Sequence, residues 1–264
     1  MVSTRQGKIA YLKPEWADKF PLCAGFSTRN GGVSRPPFNS LNLGFGTDDQ
    51  RHNVEGNRST FCRAFDMSPR KLLTVNQVHG TDVLIVDEPN QDLFHFLSLE
   101  CDAIITNQPG IMLGILVADC YPVLFYDPTN GVIAAAHVGW RGAVGGVIGK
   151  VLKALVNIFG ILPADLYCAV GAGISPKCYE VDRVVRDAFQ KEGHAWKKIA
   201  EEATYGRWKL DIGKSCILQL EGEGVPAEHI AKTDCCSCTH RELFFSYRRD
   251  GGNTGRQMGF IMLK

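Results

Sequence analysis

Three side chains of the types that ligate transition metals lie in loops or at the ends of apolar segments: His79, Cys120 and His137. A mixed set of imidazole nitrogens and a thiolate suits zinc, and three protein ligands leave a fourth position for water or substrate, as in catalytic zinc sites. A cysteine after an apolar strand is usually a small core residue, however, and a histidine beside glycine is usually structural. The residue types therefore indicate zinc chemistry, while their spacing alone leaves a structural role open.

The same residues permit a second chemistry, because Cys120 could be a nucleophile with His137 as its base, the pairing of cysteine hydrolases and amidases. A thiolate bound to metal is a poor nucleophile, so zinc content separates the two hypotheses. Asp119 directly precedes the cysteine. Its carboxylate could orient a histidine or a water molecule, or it could simply cap the end of a strand.

Two loops place arginine beside glycine, at residues 26–32 and 245–256. Arginine next to glycine lets a planar guanidinium and bare backbone approach one anion closely. Any single arginine of this kind could equally make a surface ion pair in a solvated turn. Taken together, the two loops indicate a phosphate site.

A third group of potential ligands lies near the C-terminal end, where Cys235, Cys236, Cys238 and His240 include one C-x-x-C pair. This cluster could bind a structural zinc or form a redox pair. No second C-x-x-C completes it in the sequence, so we expect reduced, partly buried thiols.

The composition is that of an ordinary globular protein, with 45% hydrophobic and 22% charged residues among 264. No linker, repeat or low-complexity stretch divides it, which favours one domain over residues 1–264. The net charge of +1 provides no broad basic field for nucleic acid. Without an apolar leader or a membrane-length apolar run, we expect a cytoplasmic protein away from membranes, with its ten cysteines reduced.

The elements that must position these residues alternate irregularly, which predicts a mixed α/β or α+β fold. Residues 72–76 and 83–87 are predicted strands on either side of the loop that carries His79. Apolar runs before and after the turn signal at 127–131 predict a β-hairpin. A four-residue loop from Asp127 to Asn130 places Cys120 opposite His137, and a five-residue loop places Tyr121 there instead. In either register the two ligand candidates stay close together.

After His137, apolar positions from Val144 to Phe159 predict one amphipathic helix. Its N-terminus falls near Arg141 and Gly142, where free backbone N–H groups favour an anion.

Several motifs of other enzyme classes are absent from the sequence. There is no Walker A sequence, and Gly171-Ala172-Gly173 is not followed by the third glycine of a dinucleotide fingerprint. Neither candidate histidine opens the His-x-Glu pattern of cytidine-type deaminases. The seven histidines form no His-x-His pair, which disfavours a coupled copper oxidase.

Ordered motifs along the whole chain resemble one known family. They are FSTRNGGVS at 26–34, SLNLG at 40–44, NQVHG at 76–80, ADC at 118–120, HVGWRG at 137–142, KCYEVD at 177–182 and FFSYRRDGGNTGR at 244–256. The family is labelled multicopper polyphenol oxidase or laccase-domain and includes a peptidoglycan editing factor. Its members are now described as zinc-dependent purine nucleoside phosphorylases that also deaminate adenosine and phosphorolyse methylthioadenosine. Gly171-Ala172-Gly173 and Lys177 depart from common family residues.

The resemblance implies a layered α/β (α+β) sandwich with mixed β-sheets flanked by helices. It implies that His79, Cys120 and His137 bind zinc, which copper could replace, and that a purine nucleoside and phosphate are the substrates. For the phosphate we nominate Arg29 and Arg249, with Arg141 and Arg248 next, because a guanidinium offers paired donors and keeps its charge. A monomer or homodimer is expected, and a non-catalytic nucleoside-binding zinc protein is the third alternative.

Overall fold

The computed structural model describes residues 1–88 and 91–264, and those residues form a mixed α+β fold with three sheets and six α-helices. The strands are β1 (Val2–Gln6), β2 (Ile9–Lys13), β3 (Leu22–Ser27), β4 (Leu72–Leu73), β5 (Val83–Val86), β6 (Ala103–Thr106), β7 (Met112–Val117), β8 (Tyr121–Asp127), β9 (Val132–Val138), β10 (Tyr167–Val170), β11 (Glu180–Val181), β12 (Ala200–Thr204), β13 (Arg207–Leu210), β14 (Ile230–Lys232) and β15 (Gln257–Leu263). The helices are α1 (Arg51–Ala64), α2 (Trp140–Val144), α3 (Val147–Phe159), α4 (Arg183–Lys191), α5 (Trp196–Ile199) and α6 (Ile212–Gly222).

The two large sheets contain six strands each and mix parallel with antiparallel pairs. The first has the order β1-β2-β3-β15-β7-β4, and the second has the order β14-β10-β8-β9-β6-β5. The pairs β4–β7, β10–β14 and β5–β6 are parallel, while the long central pairs are antiparallel. The third sheet, β11-β13-β12, is small and antiparallel. The predicted sandwich with mixed sheets is confirmed.

The alternation of side chains along β9 explains how the layers stack. Ile133 and Ala135 point towards the first sheet and share a core with Ile115 and Ile261 of that sheet. The alternate residues of β9 point the other way, into a second core with α3, α4 and α6. Helix α1 covers the outer face of the first sheet. Because β9 is buried on both faces, its sequence is a continuous apolar run.

The predicted hairpin is present as β8 and β9, but its register differs from both expectations. Pro122 lies opposite His137, and Asp127 pairs with Val132 as the innermost pair. The strand includes Asp127, whose carboxylate accepts hydrogen bonds from the backbone and side chain of Asn130 at 2.6 and 2.8 Å, so the loop begins one residue later. Cys120 therefore lies diagonal to His137, on the same face of the sheet, which keeps their side chains within reach.

The predicted amphipathic helix is divided in two. Gly146 takes a left-handed conformation, with φ of 72°, between α2 and α3. The predicted apolar face of α3 is buried through Val147, Val151 and Leu155, whereas Ile158 is 54% exposed. In the part of the chain that the structure describes, no helix has the length and apolar character needed to cross a membrane.

Candidate active site

The loop that carries His79 is fixed by one buried carboxylate. Asp102 precedes β6, and it accepts hydrogen bonds from the backbone N–H groups of Val78, His79 and Gly80 at 3.2, 3.0 and 2.6 Å. His79 itself has a positive φ of 61°, a conformation that costs energy in a residue with a Cβ atom. The three hydrogen bonds hold this conformation and present the exposed imidazole to the cleft.

A glutamine fixes the other end of the same loop. Its side-chain amide exchanges two hydrogen bonds with the backbone of Leu116, since Gln77 donates to the carbonyl and accepts from the N–H, each at 2.8 Å. The segment before His79 is thereby tied to the end of β7. Asp102 and Gln77 together leave the loop little freedom to move relative to the two large sheets.

Cys120 and His137 come from the open end of the β8–β9 hairpin. His137 follows Ile133 and Ala135 on the face towards the first sheet and is 3% exposed, while Cys120 directly precedes β8. The chain can bring the two together because Gly139 has no side chain: a Cβ atom there would lie 3.0 Å from both Cys120 Sγ and His79 Cδ2. A larger residue at this point of close approach would push Cys120 or His79 away from its position.

The three predicted ligands converge on one point. Their ligating atoms all lie within 4.8 Å of one another, with Cys120 Sγ 3.8 Å from His79 Nε2. A tetrahedral zinc ion with usual bond lengths separates its nitrogen and sulfur ligands by about 3.3–3.6 Å. Among the described residues, this is the one such group of three or more histidine, cysteine or acidic side chains. The donors therefore fit a single metal ion, with a position left open towards the cleft.

The tautomer of His137 follows from its hydrogen bonds. Its Nδ1 lies 2.7 Å from Asp102 Oδ1, and the same carboxylate already accepts backbone N–H groups. An ionised carboxylate only accepts, so Nδ1 must carry the proton. The lone pair of Nε2 is then free to bind a metal ion. A carboxylate that accepts from the other ring nitrogen is the usual arrangement that orients metal-bound histidines.

Burial and charge oppose one another at these groups. Burial raises the pKa of Cys120, but the charge and hydrogen bond of His137, with those of His79, outweigh it and leave that pKa well below the usual range. For His137 burial lowers the pKa, while Cys120 and Asp102 raise it above its ordinary value. Burial would raise the pKa of Asp102, yet its hydrogen bond to His137 and the nearby charge hold it low. The arrangement favours a thiolate at Cys120.

The three donors line one wall of a cleft of about 680 Å³. Arg141, Arg248 and Arg256 also line it, and each guanidinium lies over an aromatic ring. The distances from guanidinium carbon to ring centroid are 4.4 Å for Arg141 over Trp140, 5.0 Å for Arg248 over Tyr179 and 5.8 Å for Arg256 over Tyr247. The cleft thus combines a soft donor group, aromatic faces and positive charge.

The other two nominated arginines use their donors within the protein. Arg29 donates to the backbone carbonyls of Asn39 and Arg241 at 2.7 and 3.1 Å. Arg249 makes a two-pronged ion pair with Asp250, both contacts at 2.8 Å, and donates to the carbonyls of Ser237, Cys238 and Phe244. Neither residue is among those that line the cleft in the described parts of the chain. Both connect the loops that surround it.

Asp119 also lines the cleft, but its carboxylate is occupied. Its two oxygens accept from the Ser237 hydroxyl at 2.6 Å and from the backbone N–H of Arg248 at 2.7 Å. It therefore positions the backbone of Arg248. The carboxylate that orients a histidine is Asp102, which the sequence interpretation missed; its signal was an acidic residue directly before a buried apolar strand, the usual place for such a group at the end of a sheet.

The C-terminal cysteines lie beside this region without joining the donor group. All ten cysteines of the chain are free, with Cys235 and Cys238 partly exposed and Cys236 buried. Cys178 belongs to the same neighbourhood: burial, then hydrogen bonds to Cys238 and Cys236, raise its pKa to about 12. The thiol of Cys178 is therefore protonated at neutral pH.

Comparison with known proteins defines the class. A family model for proteins described as multi-copper polyphenol oxidoreductase laccase matches residues 23–264. The chain belongs to this family, as its motifs predicted.

Individual relatives cover almost the whole chain. Purine nucleoside phosphorylase YfiH of Escherichia coli is 38% identical over 254 residues, which are 96% of this chain and 98% of the relative. Purine nucleoside phosphorylase YlmD of Geobacillus stearothermophilus is 35% identical over 248 residues, covering 90% of this chain and 89% of the relative. The crystal structure of YlmD from that organism is similar with a TM-score of 0.91 at 32% identity, covering 100% of this chain and 99% of that one.

Proposed function

We propose that this protein is a zinc-dependent purine nucleoside phosphorylase. It would cleave the N-glycosidic bond of adenosine, inosine or guanosine with inorganic phosphate, and carry methylthioadenosine phosphorylase and adenosine deaminase as side activities. The relatives described above carry the name of the first activity. The observation that carries the proposal is the single cleft in which the His79–Cys120–His137 donor group faces three arginines stacked on aromatic rings.

Phosphorolysis places specific demands on the cleft. A phosphate oxygen must approach the anomeric carbon on one face of the ribose while the bond to the base lengthens, and the anion must be held in place. The proposal assigns phosphate to Arg141 and Arg248, which line the cleft. Arg256 also lines the cleft, but it already donates to the backbone carbonyls of Thr254 and Gly255. Arg29 and Arg249, nominated first from the sequence, are assigned the shaping of the surrounding loops because their donors are already bonded to protein.

The purine ring needs apolar faces and a polar edge. Trp140, Tyr179 and Tyr247 supply aromatic faces in the same cleft. Burial raises the pKa of Tyr179 to about 12, which keeps its hydroxyl protonated and available as a donor at neutral pH.

The metal site is assigned to His79, Cys120 and His137, with zinc preferred over copper because one sulfur and two nitrogens suit zinc and the three donors would surround a single ion. When bound, zinc would act as a Lewis acid towards a substrate oxygen or a water molecule. Asp102 would keep Nδ1 of His137 protonated and the His79 loop in place. A reducing compartment such as the cytoplasm suits ten free cysteines.

A product analysis tests the proposal directly. Purified protein is incubated with adenosine, inosine, guanosine and methylthioadenosine, with and without phosphate, and the bases and sugars are separated by chromatography. Phosphate-dependent release of free base and a sugar phosphate is the expected result. Base release without phosphate would indicate a hydrolase, inosine alone from adenosine would indicate a deaminase, and no turnover of any nucleoside would contradict the proposal.

One further observation favours a second candidate function, a cysteine hydrolase or amidase acting on a cell-wall fragment. Cys120 is hydrogen-bonded to His137, and His137 is hydrogen-bonded to Asp102. In a cysteine hydrolase these three residues would be the nucleophile, its base and the carboxylate that orients the base. Metal content decides between the two. If a chelator abolishes nucleoside turnover and added zinc restores it, the phosphorylase is supported. If metal-free protein hydrolyses amides, the second function is supported.

A further inference from the structure

A second cavity, of about 340 Å³, lies apart from the donor group and is lined by a cluster of lysines. The five are Lys177, Lys197, Lys198, Lys209 and Lys214. They come from four separate segments, since two belong to α5 and the others to β13, α6 and the stretch before β11. The fold therefore brings five lysines from distant parts of the sequence to one cavity, and all five are exposed.

Charge within the cavity is poorly balanced. Besides the five lysines, its lining includes two carboxylates, Glu201 and Asp211. Asp211 is engaged as the N-cap of α6, where its Oδ1 accepts from the backbone N–H of Lys214 at 2.8 Å. Lys209 lies across from Glu201 and Glu180 in the strand register, so its charge is the best compensated of the five. The excess positive charge belongs mainly to the remaining four lysines.

None of these five ammonium groups has an ion pair or a hydrogen bond within residues 1–88 and 91–264. Like charges that converge in a concave surface repel one another, and the cavity walls concentrate their field more than a flat surface would. An anion in the cavity would relieve this repulsion and could receive several charge-assisted hydrogen bonds at once. A singly charged ion would leave most of the excess uncompensated.

We infer that this cavity binds a small anion with at least two negative charges, of the phosphate or phosphate-ester class. Its volume of about 340 Å³ accommodates a compact ligand. Lysine binds phosphate as a flexible point charge, so several lysines can adapt to one anion. The inference is independent of the proposed nucleoside reaction.

The cavity and the cleft have no lining residue in common, although residues that line one alternate in sequence with residues that line the other. Ile174 and Tyr179 line the cleft, while Pro176 and Lys177 between them line the cavity. In the same way Ile212 faces the cleft and Asp211 faces the cavity. Variants on one side can therefore be made without altering the lining of the other, which makes two anion sites experimentally separable.

Inorganic pyrophosphate is the probe, titrated calorimetrically into the full-length protein at low ionic strength. The double variant Lys197→Gln/Lys198→Gln is expected to raise the Kd at least about tenfold, because it removes two charged donors. The control Lys191→Gln/Lys232→Gln has the same net charge but alters exposed lysines outside both cavities, and should bind like the unaltered chain. Arg248→Gln, in the cleft, should also leave this binding event in place.

Lysine acetylation followed by mass spectrometry gives a readout that does not depend on any variant. Pyrophosphate should slow the labelling of Lys197, Lys198 and Lys214 at least threefold and leave Lys191 and Lys232 unchanged. Equal labelling with and without pyrophosphate would overturn the inference. So would an absence of binding by the unaltered protein, an unchanged Kd in the Lys197/Lys198 variant, or complete loss of binding in Arg248→Gln.

Discussion

The carboxylate of Asp102 holds His137 through Nδ1 at 2.7 Å and also accepts the backbone N–H of His79 at 3.0 Å. One buried side chain thereby fixes two of the three candidate ligands, although they come from different segments of the chain. The side-chain oxygens of Asp102 are fully engaged in this task, which makes the geometry of the donor group sensitive to a single substitution.

Replacing Asp102 with asparagine should weaken zinc binding by about 10–100-fold, the usual effect of losing a carboxylate that orients a metal-bound histidine. The amide has one acceptor oxygen in place of two, so it cannot serve both the loop and the histidine. A competitive chelator titration measures the affinity. Asp82→Asn, an exposed acidic residue nearby, is the control and should keep the affinity of the unaltered chain. If the two variants bound zinc with equal affinity, Asp102 would have no role in positioning the metal ligands.

Cys120→Ala or His137→Ala should abolish stoichiometric zinc, because each removes one of three protein ligands. Metal analysis after dialysis measures the content, and circular dichroism confirms that the variants fold. Cys178→Ala is the matched control, since that cysteine is partly exposed and outside the donor group. One zinc per chain retained in Cys120→Ala would show that the ligand set is wrong.

Arg248→Ala should raise the phosphate KM by roughly one to two orders of magnitude, the effect of losing a charged hydrogen-bond donor worth about 1.5–3 kcal/mol. Zinc content should not change, and adenosine deamination should change much less, since that reaction needs no phosphate. Initial rates at varied phosphate test this. If phosphorolysis and deamination fell in parallel with zinc intact, Arg248 would shape the nucleoside site and not the phosphate site.

Arg249→Ala, at the adjacent position, should instead lower the free energy of unfolding by about 1.5–3 kcal/mol. Its guanidinium joins Asp250 to three backbone carbonyls and its side chain is only 11% exposed. Lysine cannot reproduce this planar set of donors, so Arg249→Lys should restore only part of the loss. Thermal and urea unfolding provide the measurement, with Arg248→Ala as the exposed control. Unfolding curves that match between Arg249→Ala and the unaltered chain would contradict a structural role.

In metal-free protein, alkylation of Cys120 should stay fast well below pH 8.5, the ordinary thiol pKa. The thiolate reacts, and a lowered pKa keeps it populated until the pH falls through that lower value. An ordinary thiol loses about tenfold in rate per pH unit below its pKa. Cys178 is the internal control. Its pKa is raised to about 12, mainly by burial, so it should react slowly throughout the neutral pH range. Mass spectrometry of labelled peptides resolves the two residues.

Adding zinc to the same protein should suppress the reaction at Cys120 and leave Cys178 unchanged. Protection requires the sulfur to be a ligand, because a bound thiolate is a poor nucleophile. Rapid labelling of Cys120 at full zinc occupancy would oppose the assigned ligand set and favour the cysteine hydrolase.

Much of the architecture could be predicted from local sequence. The apolar runs on both sides of the turn at Asp127 gave the hairpin, since strands buried on both faces have no polar alternation. Motifs gave the family and brought attention to His79, Cys120 and His137. The register of the hairpin could not be predicted, because the side chain of Asp127 accepts from Asn130 and moves the loop by one residue. The predicted helix is divided because Gly146 takes a left-handed conformation, which ends α2 before α3 begins.

The sequence by itself determined which residue types are available for chemistry, and the tertiary structure decided which of them meet. His79 and His137 are 58 positions apart in the chain, yet their rings lie 4.7 Å apart between centroids because Asp102 draws the loop onto the hairpin. Arg248 and Arg249 are neighbours of the same type, and no local pattern distinguishes them. Alternate directions of their side chains put one guanidinium in the cleft and the other among backbone carbonyls, so folding alone separates an available charge from a structural one.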